Sequence, residues 1–273
     1  MKYIIFILLF VCNLLAYNHD LWNTEPKIGM KEYEAFTTSY FTTYSQMYYK
    51  TTNYWMVPLW VSYQIKGTTN KIPNYPRPAN WTTDEQMFRM KMAPIDDAYK
   101  NSGYDRGHLC MKEIASRISS NADRETHTML NAVPQLHKMN AGVWLDLEKR
   151  TMDWADTYGD VWVICGPVFS NMKPTKYIGT DKTGKIAVPD WCYKIVIKTN
   201  PGLEALPFLI SATYTNNGPY DLSKFKVSIA KIEQMTGLTF LANTSINKTN
   251  TQTNIWKWNK KEQHEKDYQE EAR

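Results

Sequence analysis

The chain contains no Cys-x-x-Cys pair and no cysteine–histidine cluster at zinc-ligand spacing, which argues against a structural zinc site. No segment repeats at a fixed period, and no Gly/Ser/Pro-rich linker divides the sequence into modules. No apolar run reaches the ~20 residues of a membrane-spanning helix, so stable membrane insertion is not expected. Cysteine is scarce, with 4 in 273 residues, and Cys12 lies in the apolar leader. The other three, Cys110, Cys165 and Cys192, are an odd number, so an oxidising compartment would leave one unpaired or bridged to another chain. Cys165 and Cys192 fall on neighbouring predicted strands and could pair; sequence alone does not establish that they do.

What is present is an ordinary globular composition, 43% hydrophobic and 22% charged, with 10 Trp and 18 Tyr. Met1 and Lys2 precede an apolar run from Tyr3 to Ala16 that ends on a small residue, the pattern of a secretory leader. Residues 1–16 are therefore read as a signal peptide and export as the destination. Cleavage there would remove Lys2 and lower the net charge from +5 to +4, a weak bias towards a polyanionic partner. Residues 17–53 form an extension without clear period, 54–242 a single domain, and 243–273 a polar, charged tail.

Alternation and β-branching predict strands over Tyr54–Ile65, Asp160–Phe169, Ile186–Thr199 and Ala205–Tyr214. Asp105–Leu109 is a short extended segment after the Asn101–Gly103 turn, and Asp123–Leu130 can be helical. The clearest helix is Asn140–Tyr158, where Val143, Leu147, Thr151 and Trp154 recur at three- and four-residue spacing until Gly159 stops it. Asp221 could cap a helix running through Lys226, Ile229 and Ile232 to Gly237. The fold class expected is α+β, with a central antiparallel sheet flanked by helices.

The block that carries chemistry is Asp105-Arg106-Gly107-His108. In a strand, Arg106 and His108 point to the same face, placing a cation for phosphate beside an imidazole that takes a proton near neutral pH. Gly107 between them permits close approach of another backbone. Alone, the string is weak; a His beside an Arg is commonly a solvated pair. Downstream lie Asn131-Ala132-Val133-Pro134-Gln135 and then Asn140 to Glu148. Asn140 and Glu148 are eight apart, a little over two helical turns, so both can face one site. The amide oxygen of Asn140 is the hard ligand that magnesium accepts.

These three strings, in this order and spacing, resemble the DNA/RNA non-specific endonuclease family, and the likeness extends over roughly residues 54–242. Cys165-Gly166-Pro167-Val168-Phe169, Ile186-Ala187-Val188-Pro189 with Trp191 and Lys194, and Ile232-Glu233 with Thr236-Gly237-Leu238 add to it. The resemblance implies a ββα-metal nuclease fold and endonucleolytic cleavage of DNA and RNA that leaves 5′-phosphate ends. It implies Mg2+ as cofactor, with Mn2+ as a substitute, and admits a homodimer. It assigns His108 as general base, Asn140 as the direct metal ligand and Glu148 as the acid that holds water at the metal. Arg106 and Arg77 become cations at the phosphate, both catalytic and substrate-binding, and Asn131 becomes a substrate contact.

The sequence departs from the family pattern at Cys110-Met111, where many relatives carry small residues; a buried space-filler is the expected role for Cys110. His127 and His137 are read as packing or surface residues, since no second ligand pattern accompanies them. Two rivals to a nuclease are a catalytically inactive nucleic-acid-binding protein on the same scaffold and a nucleotide phosphodiesterase or pyrophosphatase. Intact His108, Asn140, Glu148, Arg106 and Arg77 argue against the first, and the complete Asp105–His108 string against the second.

Overall fold

The computed structural model describes residues 25–26, 31–37, 41–47, 55–251 and 254–257, the first three segments as backbone. Residues 1–16, where a leader is expected, and most of the charged tail lie outside them. The strands are β1 (Glu25–Pro26), β2 (Lys31–Thr37), β3 (Phe41–Met47), β4 (Pro58–Ile65), β5 (Asp105–His108) and β6 (Ala132–Gln135). They continue with β7 (Val161–Val168), β8 (Tyr177–Thr180), β9 (Gly184–Ala187), β10 (Trp191–Lys198), β11 (Glu204–Ser211) and β12 (Leu238–Thr239). The helices are α1 (Glu85–Arg89), α2 (Lys112–Ser116), α3 (Ser120–Glu125), α4 (Leu145–Tyr158) and α5 (Ile229–Thr236).

Six strands form the central sheet in the order β11-β10-β7-β4-β3-β2, every neighbouring pair antiparallel. The expected α+β class with an antiparallel sheet is the class observed. Its middle strands read as near-continuous apolar runs because both faces are covered. Successive side chains point to opposite faces. Phe208, opposite Lys194 in the register, stacks on Trp154 of α4 at 6.0 Å, whereas Tyr193, one residue from Lys194, meets Phe240 beyond α5 at 5.5 Å. Helix α4 thus closes one face and the α5 region the other. The N-terminal segment, unassigned from sequence, adds β2 and β3 to this sheet and pairs β1 with β12.

Three elements differ from expectation. Pro189 has no amide hydrogen to donate, and the expected strand over 186–199 divides into β9 and β10 around Pro189-Asp190. Helix α3, capped by Ser119, ends at Glu125 because the next residues bond across to another segment: Thr82 N–H donates to His127 O at 2.8 Å and Met129 N–H to Thr82 O at 3.0 Å. Asp221 caps only the short turn Leu222–Phe225; α5 starts at its own cap, Ser228, and ends at Gly237 with φ 76°.

The long helix expected over 140–158 also divides. Met139–Trp144 is a wide π-type turn, broken at Gly142 (φ −106°, ψ −113°), and regular α-helix starts at Leu145. Helix α4 stops at Gly159 (φ 90°), as its sequence requires. Strands β5 and β6 pair antiparallel, and β6 leads through the wide turn into α4. This ββα unit is held on the sheet by Leu109, whose carbonyl accepts from Tyr63 Oη and from Cys165 Sγ, each at 3.2 Å.

Candidate active site

His108 ends β5, and everything next to it fixes its attitude. Its carbonyl accepts from Trp144 Nε1 at 3.2 Å. Its ring lies between Trp81 (centroids 4.4 Å apart) and His127 (5.0 Å, nearly perpendicular). Nε2 is enclosed without a hydrogen-bond partner, so a water can be met only at Nδ1. Burial holds the imidazole pKa well below 6.5, and His127, Arg77 and Lys112 lower it further. The ring is a neutral base at any pH near neutrality.

Asp105, at the other end of β5, aims two side chains. Its Oδ2 accepts from Asn140 Nδ2 at 3.1 Å and from His137 Nδ1 at 2.8 Å. With its NH2 group turned to Asp105, the Asn140 amide presents its carbonyl oxygen the other way. Arg106 is committed to Asp96, through Nε to the carboxylate at 2.5 Å and Nη2 to the carbonyl at 3.2 Å. Glu148, from the first turn of α4, is only 5% exposed, and burial lifts its pKa to about 7 against the pull of Lys194 beneath it.

Arg77, Arg106, His108, Asn140 and Glu148 line one polar cleft of about 450 Å3. They come from four places in the sequence, Arg106 and His108 sharing β5. Asn131 does not join them. It is fully buried, its Oδ1 accepting from Cys110 N–H (2.9 Å) and its Nδ2 donating to Cys110 O (2.8 Å) and Thr126 O (2.9 Å). The expected substrate contact at Asn131 is corrected accordingly: an amide with both ends spent on backbone has nothing left for a ligand, and it staples the chain that follows the base.

Sequence reasoning missed four residues of the site. Asp105 lay inside the motif but received no role. Lys112, on the cleft wall and 3% exposed, is held by Asn74 at 3.1 Å and Asp123 at 3.6 Å. Trp81 and His127 bracket the base, His127 being 2% exposed, so the packing alternative given for it is the one observed. No local pattern marks these last three, since each reaches the site only through the fold. The cysteines Cys110, Cys165 and Cys192 are buried and unbridged. Gly107 is needed for a side chain and not for a backbone, because a Cβ there would stand 2.1 Å from Gln135 Oε1.

A strand-borne imidazole, an amide beyond the crossing turn and a buried carboxylate around one polar cleft define a ββα-metal fold. The solved structure of an EndoG/EndoGI complex shares this fold at a TM-score of 0.64 and 21% identity, over 77% of this chain and 86% of that one. The family model described as DNA/RNA non-specific endonuclease matches residues 25–247, and the chain belongs to that family. It is 30% identical over 195 residues to the mitochondrial nuclease EXOG of Xenopus laevis, covering 67% of this chain and 53% of that one. A nuclease of Nostoc sp. is 30% identical over 205 residues (72% and 70%), and human mitochondrial endonuclease G 29% over 196 residues (68% and 64%). The chain spans 53% and 63% of the length of the frog and zebrafish EXOG nucleases it matches.

These relatives overturn one expectation. The vertebrate nucleases similar to this chain are mitochondrial, so the secreted destination read from residues 1–16 is not upheld. A short apolar run with one charge is a generic composition, and those residues lie outside the described part of the chain. Among the described residues no helix is long and apolar enough to cross a membrane.

Proposed function

We propose that this chain is a metal-dependent endonuclease that hydrolyses phosphodiester bonds of DNA and RNA without strong sequence preference, leaving 5′-phosphate ends. The observation that carries the reading is the neutral, packed imidazole of His108 facing the same cleft as the Asn140 amide and the Glu148 carboxylate.

A phosphodiester is cut by a deprotonated water, with growing negative charge held in place while the 3′-oxygen departs. His108 Nδ1 takes the proton of the attacking water, a role worth roughly 10²–10⁴-fold. The ring needs no reorientation, because Trp81 and His127 fix its plane and Trp144 holds its backbone. Arg77 and Arg106 draw the phosphate into the cleft, Arg106 with its guanidinium plane set by Asp96. Lys112 adds a third cation on the wall.

The donor set fits a hard divalent cation. The Asn140 carbonyl oxygen is oriented by Asp105, and the Glu148 side chain lines the same cleft. Asn140 would hold the ion directly and Glu148 through water, in the manner of Mg2+ with Mn2+ as substitute. When bound, such an ion supplies Lewis acidity and neutralises phosphate charge. The residues lining the cleft are suited to phosphate and sugar, which carry no base identity, and this supports low sequence preference.

Digestion of supercoiled plasmid and total RNA by the purified chain tests the reading, run with magnesium, with a chelator, and with His108→Ala. Both polymers should be cut, and the chelator and the substitution should each abolish cutting. Salt-sensitive binding of plasmid without cutting under any divalent ion would overturn it.

A further inference from the structure

Lys194 sits in the middle of β10 and is 0% exposed. Its side chain points to the sheet face covered by α4, with Nζ 3.5 Å from Glu148 Oε1 and 4.4 Å from the ring centroid of Trp144. It takes no part in the cleft wall, whereas Glu148 does. The ammonium therefore reaches Glu148 from behind, on the side away from any substrate.

Burying an ion pair is a poor route to stability, since apolar residues of similar volume usually do as well or better. A charge placed in the core of a sheet between apolar neighbours calls for another reason, and Glu148 supplies it. Among the described residues Lys194 is the cation acting on Glu148; the thiols of Cys110 and Cys165, also within its field, are kept neutral by burial. The same ammonium lies over the Trp144 ring, whose Nε1–H holds the His108 carbonyl.

We propose that Lys194 is a positioning residue of the active site, which holds the Glu148 side chain from behind through its buried Oε1 without touching substrate. The inference rests on the role given to Glu148 in the proposed nuclease.

Its test is a double-mutant cycle on a fluorogenic oligonucleotide with wild type, Lys194→Met, Glu148→Gln and the double variant, with thermal melting of all four. Lys194→Met should lower kcat about 100-fold, leave KM within about twofold, and melt below wild type, since it removes one partner of a buried pair. Added to Glu148→Gln, it should cost less than about threefold further, because the ion pair it serves is already broken. Wild-type kcat in Lys194→Met, or an equal loss in both backgrounds, overturns the inference. Should Lys194→Met fail to fold, the double variant, which leaves no orphan charge, still decides by comparison with Glu148→Gln. An inert wild type would instead sink the nuclease reading on which this one stands.

Discussion

His127 is a buried imidazole held neutral, and its burial bears on stability. His127 has its pKa lowered to about 4, by burial first and then by Arg77 and Lys112. An unfolded histidine near 6.5 binds its proton earlier, so the stability tied to keeping His127 neutral is complete above about 6.5 and is lost as pH falls towards about 4. Melting temperature should therefore drop over that window. His127→Phe, which replaces a buried nitrogen lacking a partner with an apolar edge, should flatten the drop; an unchanged profile would remove His127 from the acid response. Glu148 works in the opposite sense. With its pKa raised to about 7, it is a carboxylate only above that value, so kcat/KM should climb as pH is raised through about 7. Glu148→Gln should abolish that limb along with most of the rate.

At the scale of elements, the β5–β6 pair and the chain after it work as one clamp. Gly107 faces the buried side chain of Gln135, whose Oε1, Cδ and Cγ all lie within 2.7 Å of where a Cβ would be. Gly107→Ala must push that side chain out of a closed space, an overpacking cost of about 1–3 kcal/mol read from denaturant unfolding. Asn131→Ala removes three buried hydrogen bonds at once. It should lower stability by about 2–4 kcal/mol and reduce kcat through loosening of the His108 support, with substrate affinity little changed. A pure rise in KM at wild-type stability would restore Asn131 as a substrate contact.

The sheet seen whole is the rigid back against which the ββα unit is aimed, and the cleft gathers Arg77, Arg106 and Lys112 on a chain of net charge +5. Attraction to a polyanion through such cations weakens with salt. KM for plasmid should therefore rise steeply as ionic strength increases, while kcat stays nearly level. Removing Arg77 by Arg77→Ala should reduce the salt slope by about one unit if that side chain contacts a phosphate. A slope indifferent to Arg77 would place the substrate elsewhere on the surface.

Local chemistry made the sequence legible where a residue's neighbours in the chain decide its state. The apolar, β-branched runs of β4, β7 and β11, the stop at Gly159 and the spaced strings at Asp105–His108 and Asn140–Glu148 all belong to this kind. So did the fold class and the family, because the motif's order along the chain is itself a property of the sequence. Only the tertiary structure decided what depends on contacts between distant segments. The expected helix over 140–158 is broken at Gly142, where a Cβ would lie 2.6 Å from Tyr220 Oη. Asn131 turned from ligand to staple because Cys110 and Thr126 fold against it. Lys194 reads in sequence as one more residue of a strand, and becomes the counter-charge of Glu148 once α4 lies across β10. Burial, a partner's charge and the direction of an amide are set by what the fold brings within a few ångströms, and no residue's own sequence neighbourhood contains that information.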